Sequence, residues 1–190
     1  MPRIEFWVQP AAWIAWSAYW VVAARGAKPV RARESIASRA SHIAPLAVAF
    51  LLLALPRLPL AGLDTRLLRP PLAWFWAGSA ATVAGLLYAA WARVHLGGNW
   101  SGTVTIKEGH ALVTSGPYAY TRHPIYTGLL LAFIGSALAR GELRGLLSVA
   151  IAAAAFQAKL RIEERWLGQE FGEAYAVYRG RVPALIPRVL

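Results

Sequence analysis

Five apolar runs constrain this chain more than any other feature. Residues 6–24 carry no charge over 19 positions, about the length needed to cross a hydrocarbon core of roughly 30 Å. Residues 43–60 and 72–92 form a second and a third run, with Pro45 near the start of the second and Pro56, Arg57 and Pro59 near its end. Residues 125–139 and 145–158 are shorter, and only Arg140-Gly-Glu-Leu-Arg144 separates them. That spacing predicts a tight helical hairpin whose charged tip reaches the far interface or a polar cavity. The expectation is an all-α integral membrane protein of about five transmembrane helices with its termini on opposite sides. It forms one domain of 190 residues: 1–92 supply three helices and 93–190 the remainder.

Charge orients the bundle. Between the first two runs, Arg25, Lys28, Arg31, Arg33 and Arg39 face Glu34 alone, which predicts a cytoplasmic loop at 25–42 and an outside N-terminus. The loop at 61–71, with Arg66, Arg69 and Asp64, is less basic. The formal net charge of +11 lies in segments flanking apolar runs, where anionic headgroups are met, and does not point to nucleic acid. Membrane lipids are the expected surroundings, since 57% of residues are hydrophobic and the mean hydropathy is +0.43. Nine Trp and seven Tyr suit the aromatic belts at membrane interfaces. The absence of Cys excludes disulfides, thiolate metal sites and a Cys nucleophile. The N-terminus lacks the pattern of a secretory signal.

Residues 109–128 break the apolar pattern with two His, one Arg, three Tyr, two Pro and three Gly. Backbone polar groups facing lipid would cost several kcal/mol each, so this stretch lies outside the bilayer or lines a cavity. Pro117 and Pro124 restrict the residues before them, and Gly109, Gly116 and Gly128 permit close backbone approach. His110, Tyr118, Arg122, His123 and Tyr126 either anchor the loop among headgroups or face a ligand. Just upstream, Gly97, Gly98, Asn99 and Gly102 signal a turn, and 103–106 reads as a short extended segment.

Glu163 and Glu164 follow the last apolar run, with Lys159 one turn earlier and Arg161 between. Lys159 and Glu163 share a helix face. The group is either a solvated helix face or the second wall of a site. From 159 to 182 the apolar positions Leu160, Trp166, Leu167, Phe171, Tyr175 and Tyr178 recur at helical spacing, which predicts an amphipathic helix stopped by Pro183 and Pro187.

The stretch Gly109–Gly128, the Glu163-Glu164 pair, Phe171-Gly-Glu-Ala-Tyr175-x-x-Tyr178 and Val182-Pro-Ala-Leu-Ile-Pro187, in that order and spacing, resemble the isoprenylcysteine carboxyl methyltransferase family of integral membrane enzymes. The resemblance covers roughly 93–188. Phospholipid N-methyltransferases and, more distantly, sterol C14-reductases share parts of it. The resemblance implies S-adenosylmethionine bound by the cytoplasmic loop and the C-terminal helices. No Gly-rich strand-to-helix fingerprint competes with that expectation. The implied cofactor contacts are His110, Ala111, Leu112, Val113, Tyr118, His123, Pro124, Ile125 and Tyr126, with Glu163 as the acidic partner. Where eukaryotic members carry a substrate-contacting Arg, one turn before that Glu, this chain has Lys159, with Arg161 two residues on. A basic residue near the end of the helix preceding the loop corresponds to Arg93. Arg93, Lys159 and Arg161 are therefore the candidate catalytic cations.

The expected activity is methyl transfer to a lipophilic or lipidated acceptor at the cytoplasmic side of the membrane. Carboxyl O-methylation of an isoprenylcysteine-like substrate leads, and phospholipid or other N-, S- or O-methylation follows. A nicotinamide-dependent reductase and a non-catalytic scaffold are the alternatives from other classes. The four His have no metal-ligand spacing.

Overall fold

The computed structural model describes residues 5–55, 58, 62–67 and 72–186. Pro56, Arg57, Pro59, Arg69 and Pro187, which the sequence places at helix ends and in the second loop, lie outside the described residues. The helices are α1 (Glu5–Ala24), α2 (Ile36–Ala54), α3 (Leu72–Leu96), α4 (Pro124–Arg140), α5 (Leu143–Phe171) and α6 (Glu173–Arg181). Single 3-10 turns occupy Gly97–Asn99 and Gly116–Ala119.

The chain is mostly helical, in keeping with an all-α membrane protein, and carries one short two-stranded ribbon beside the helices. Strand β1 (Val30–Arg33) pairs antiparallel with β2 (Thr105–Lys107), aligning Val30 with Lys107, Ala32 with Ile106 and Arg33 with Thr105. The extended segment expected at 103–106 thus finds its partner inside the basic loop, where charge masked the strand. Helix α2 also starts earlier than the apolar run at 43, because Ser35 caps it by accepting a bond from the Ser38 N–H at 3.1 Å. Helix α5 runs unbroken through the charged segment to Phe171, and Gly172 at φ 51° separates it from α6.

By length and composition, three helical segments among the described residues are long and apolar enough to cross a membrane: Ile36–Ala54, Leu72–Asn99 and Leu143–Phe171. Helix α4 is apolar and 17 residues long. Helix α1 is 20 residues long, with Gln9 and Pro10 among its apolar and aromatic residues.

Glycine sets the tightest contact in the bundle. Helices α3 and α4 run antiparallel, with Gly78 opposite Gly135 and Gly85 opposite Gly128. A Cβ on Gly85 would lie 2.4 Å from the Gly128 carbonyl oxygen, and one on Gly135 would lie 2.5 Å from that of Gly78. Small residues let membrane helices approach this closely and gain dispersion along the seam. Beside it, Gln9 donates to Ser79 Oγ at 3.1 Å and accepts from Ser136 Oγ at 3.1 Å, while Trp13 Nε1 donates to Ser136 at 3.0 Å. That network ties α1 to α3 and α4.

Helix α5 packs on both α4 and α2. At its start, Arg140 donates to the carbonyls of Leu53 (2.6 Å) and Leu55 (3.0 Å), Arg144 donates to Leu55 (2.7 Å), and Glu142 accepts from both arginines. The charges between the two short runs therefore cap the last carbonyls of α2. The ends of α1 and α3, the starts of α2 and α4, and the second half of α5 gather at the opposite end of the bundle, beside the ribbon.

Gly85→Leu is expected to abolish the monodisperse peak of detergent-solubilised protein in size-exclusion chromatography, since overpacking a tight contact costs about 1–3 kcal/mol or more. Gly180→Ala, where an added Cβ meets nothing within 4 Å, is expected to leave that peak unchanged.

Candidate active site

Local sequence builds the first wall. Gly116, at φ 58°, turns the chain so closely against His95 that a Cβ would lie 2.6 Å from the imidazole. The following 3-10 turn buries Pro117 and Tyr118. Pro124 opens α4 at its first helical position, where a missing N–H costs nothing. The C-terminal Val182-Pro-Ala-Leu stretch is fastened to this wall. The Arg122 N–H donates to the Pro183 carbonyl at 2.9 Å, the His123 N–H to Ala184 at 3.0 Å, and Thr127 Oγ1 to Leu185 at 2.6 Å. Tyr178 adds a bond from its hydroxyl to the Tyr118 carbonyl at 2.7 Å.

The second wall is α5. Glu163 accepts from the Tyr126 hydroxyl at 2.6 Å and lies 3.5 Å from His123 Nδ1. Glu164 accepts from Arg122 at 2.5 and 2.8 Å and lies 3.4 Å from His123 Nε2. His123 thus stands between two carboxylates, with its ring stacked on Tyr126 at 5.4 Å and 4°. Phe156 also stacks with Tyr126, at 5.1 Å and 18°. Lys159 donates to the Gly102 carbonyl at 2.9 Å, sits 4.0 Å from Glu163, and lies 5.2 Å from the Tyr126 ring centroid.

Between these walls lies a cavity of about 480 Å³. Its polar lining includes Asn99, His110, Tyr118, His123, Lys159 and Glu163, and its aromatic lining includes Trp13, Trp16, Trp20, Phe50, Phe133 and Phe156. Of the residues expected at a cofactor, His110, Ala111, Leu112, Val113, Tyr118, His123, Ile125, Tyr126 and Glu163 line this one space. Pro124 is buried behind it.

The candidate cations separate. Lys159 lines the cavity. Arg93 does not: it donates to the carbonyls of Ala23 and of Gly97 (2.8 Å) and stacks over Trp100 at 4.4 Å, tying α1 to the end of α3. Arg161 is exposed on the outer face of α5. Two residues from Lys159 is more than half a helical turn, which puts Arg161 on the wrong side. The aromatic face of α1 and Trp100 are parts of the cavity lining that the sequence did not point to, and the pairing of Arg122 with Glu164 was not legible there either. A stripe of Trp in a membrane run reads equally well as an interfacial anchor.

Two imidazoles carry opposite electrostatic signatures. Burial lowers the His110 pKa below 6.5, and Lys28, Lys107 and Arg31 lower it further against Glu170. Its Nδ1 accepts the Lys107 N–H at 3.2 Å, which assigns the proton of the neutral ring to Nε2. Burial also disfavours the charged form of His123, but bonds to Glu163 and Glu164 outweigh it and raise that pKa above 6.5. Burial raises the Tyr178 phenol to about 12, so it serves as a donor. No group of three or more His, Asp or Glu suited to a metal occurs among the described residues.

The phospholipid methyltransferase family model matches residues 73–174, more than half of the chain and both walls of the cavity. The chain belongs to the phospholipid methyltransferase family. Its relatives bear out the resemblance to isoprenylcysteine methyltransferases. Protein-S-isoprenylcysteine O-methyltransferase of Schizosaccharomyces pombe is 36% identical over 101 residues, 52% of this chain and 43% of that protein. Methanethiol S-methyltransferase 2 of Bradyrhizobium diazoefficiens is 45% identical over 73 residues, 38% of this chain and 27% of that protein. Cobalt-zinc-cadmium resistance protein CzcN of Cupriavidus metallidurans is 35% identical over 112 residues, 58% of this chain and 46% of that protein. The chain thus spans less than half the length of these relatives.

A raised His123 pKa means that the folded protein binds a proton that the unfolded chain releases near pH 6.5. The stabilisation is complete below pH 6.5 and is lost as pH rises through the folded-state value. A thermal melt in detergent should therefore show the advantage of the wild type over His123→Gln shrinking as the pH is raised, with each kcal/mol worth about 2–4 °C.

Proposed function

We propose that the protein is an S-adenosylmethionine-dependent methyltransferase acting on a lipophilic acceptor within the membrane. The observation that carries this is the convergence of Glu163, Tyr126, His123 and Lys159 on one cavity lined by both polar and aromatic side chains. The residues fit the cofactor. The Glu163 carboxylate suits a ribose diol or a nearby positive charge, the aromatic side chains that line the cavity suit a sulfonium, and neutral His110 offers an Nε2–H donor. When bound, S-adenosylmethionine supplies an electrophilic methyl group.

The chain's own contribution is alignment and exclusion of water, since a carboxylate or thiolate nucleophile needs little proton transfer. The acceptor of first choice is the carboxylate of an isoprenylcysteine-like molecule. Lys159 has three N–H donors, of which Gly102 occupies one, so the ammonium keeps capacity to orient an acceptor oxygen. The aromatic lining excludes water and receives the apolar portion. The methanethiol S-methyltransferase relative supports a thiol acceptor as the second reading, and phospholipid N-methylation is the third.

In this proposal α1 to α5 all cross the bilayer, and α4 and α5 form a hairpin reaching in from the cytoplasmic side. The site lies at the cytoplasmic surface. Arg25, Lys28, Arg31, Arg33 and Arg39 stand at the same end of the bundle as the cavity, which supports that orientation.

Calorimetry with S-adenosylhomocysteine on detergent-solubilised protein provides the test. Wild type is expected to bind, and Glu163→Ala and His123→Ala to weaken binding about tenfold or more, as expected for losing a charged hydrogen-bond partner. Arg161→Ala should bind as wild type does. No binding to wild type, or equal binding by the Glu163 and His123 variants, would sink the proposal, as would preferential binding of NADPH.

A further inference from the structure

Glu34 lies in the first loop, outside the family-matched region 73–174, yet its carboxylate is buried and satisfied from three directions. It accepts from His42 Nε2 at 2.9 Å, from Ser38 Oγ at 2.7 Å and from the Val104 backbone N–H at 2.9 Å. Its own N–H donates to the Val104 carbonyl at 3.1 Å. His42 is fully buried in α2. Removing a carboxylate from water is costly, so a fully bonded one in this position holds its partners firmly.

Those partners lead into the site. Val104 lines the cavity, as do the neighbouring residues 99–103, 105 and 106. Two residues before Val104, the Gly102 carbonyl receives the Lys159 ammonium. A continuous chain of contacts therefore runs from α2 through Glu34, Val104 and Gly102 to Lys159 and Glu163. The ribbon fixes the segment beyond Val104 through the Arg33–Thr105 and Ala32–Ile106 pairs. Glu34 adds two bonds to Val104, two residues from Gly102.

We infer that Glu34, held by His42 and Ser38, is a positioning residue that places the Gly102 carbonyl and through it the Lys159 ammonium. The N-terminal half of the chain thus sets the geometry of the cation assigned to the methyl acceptor, an assignment that rests on the function proposed above. Glu34 does not line the cavity and acts only through residues 99–106, which form its roof. Its role requires an oxygen facing Val104 and a polar group facing Ser38, not a negative charge. Glutamine meets both needs and alanine meets neither.

The chain has three lysines, Lys28, Lys107 and Lys159, so amine labelling read by mass spectrometry reports each one separately and without an acceptor. In wild type, Lys159 is expected to label slowly relative to Lys28. Glu34→Ala should raise Lys159 labelling about tenfold relative to Lys28, as local opening of the roof would, while Glu34→Gln keeps the wild-type ratio. With S-farnesyl-N-acetylcysteine as acceptor, Glu34→Ala should raise KM about tenfold with little change in kcat, and adding it to Lys159→Ala should have no further effect, the signature of two residues acting as one unit.

Equal Lys159 labelling in wild type and Glu34→Ala overturns the inference. So does a Glu34→Gln variant that labels like Glu34→Ala, or additive effects of Glu34→Ala and Lys159→Ala. A uniform rise at all three lysines shows general loosening and also overturns it. If wild type fails to bind S-adenosylhomocysteine while Lys159 labelling still responds to Glu34→Ala and not to Glu34→Gln, the functional proposal fails and the clamp stands.

Discussion

The close contact of α3 with α4 governs the rest of this structure. The loop carrying His110, Tyr118 and His123 is the connection between these two helices, so the seam that brings Gly85 against Gly128 and Gly78 against Gly135 fixes where both ends of that loop stand. A side chain in the seam would spread the helices and with them the ends of the site. Packing between helices in lipid gains little from the hydrophobic effect. The precision of the cavity therefore rests on dispersion along this seam and on the hydrogen bonds that join Gln9, Ser79 and Ser136 beside it.

The second governing constraint is the cost of charge among apolar helices. Each ionised group near the cavity has a named partner. Glu163 has Tyr126, His123 and Lys159, Glu164 has Arg122, Glu34 has His42 and Ser38, and Arg93 has two helix-end carbonyls and the face of Trp100. Satisfaction of this kind is what lets polar chemistry persist inside a bundle. It also distributes roles: Arg93 is spent on architecture, whereas Lys159 is tethered beside Glu163 at the edge of the cavity.

Much of this was legible in the sequence because it is written in local spacing. Uncharged runs located the helices, Pro and Gly located the turns around 109–128, and the i, i+4 relation of Lys159 and Glu163 put both on one face. The same helical period separates Arg161 from that face, so its exposure could have been read in advance. What stayed hidden was long-range. Strand β1 pairs with β2 across more than seventy residues, and in sequence it looks like part of a basic loop. The partners of Arg93 are backbone carbonyls, which leave no mark in a sequence. The start of α2 was misplaced because a run of hydrophobic residues marks where a helix meets lipid, not where its backbone begins. Trp13, Trp16 and Trp20 fit an interfacial belt and a ligand wall equally well until α2 and α4 are seen beside them.

The central claim is that the loop after α3 and the second half of α5 form two walls of one S-adenosylmethionine pocket. A structure determined with S-adenosylhomocysteine tests it most directly. The ligand is expected in the cavity between Tyr118 and Glu163, with its ribose within hydrogen-bonding distance of the Glu163 carboxylate and its sulfur near Lys159. Ligand density elsewhere on the molecule, or in this cavity without contact to Glu163, would contradict it.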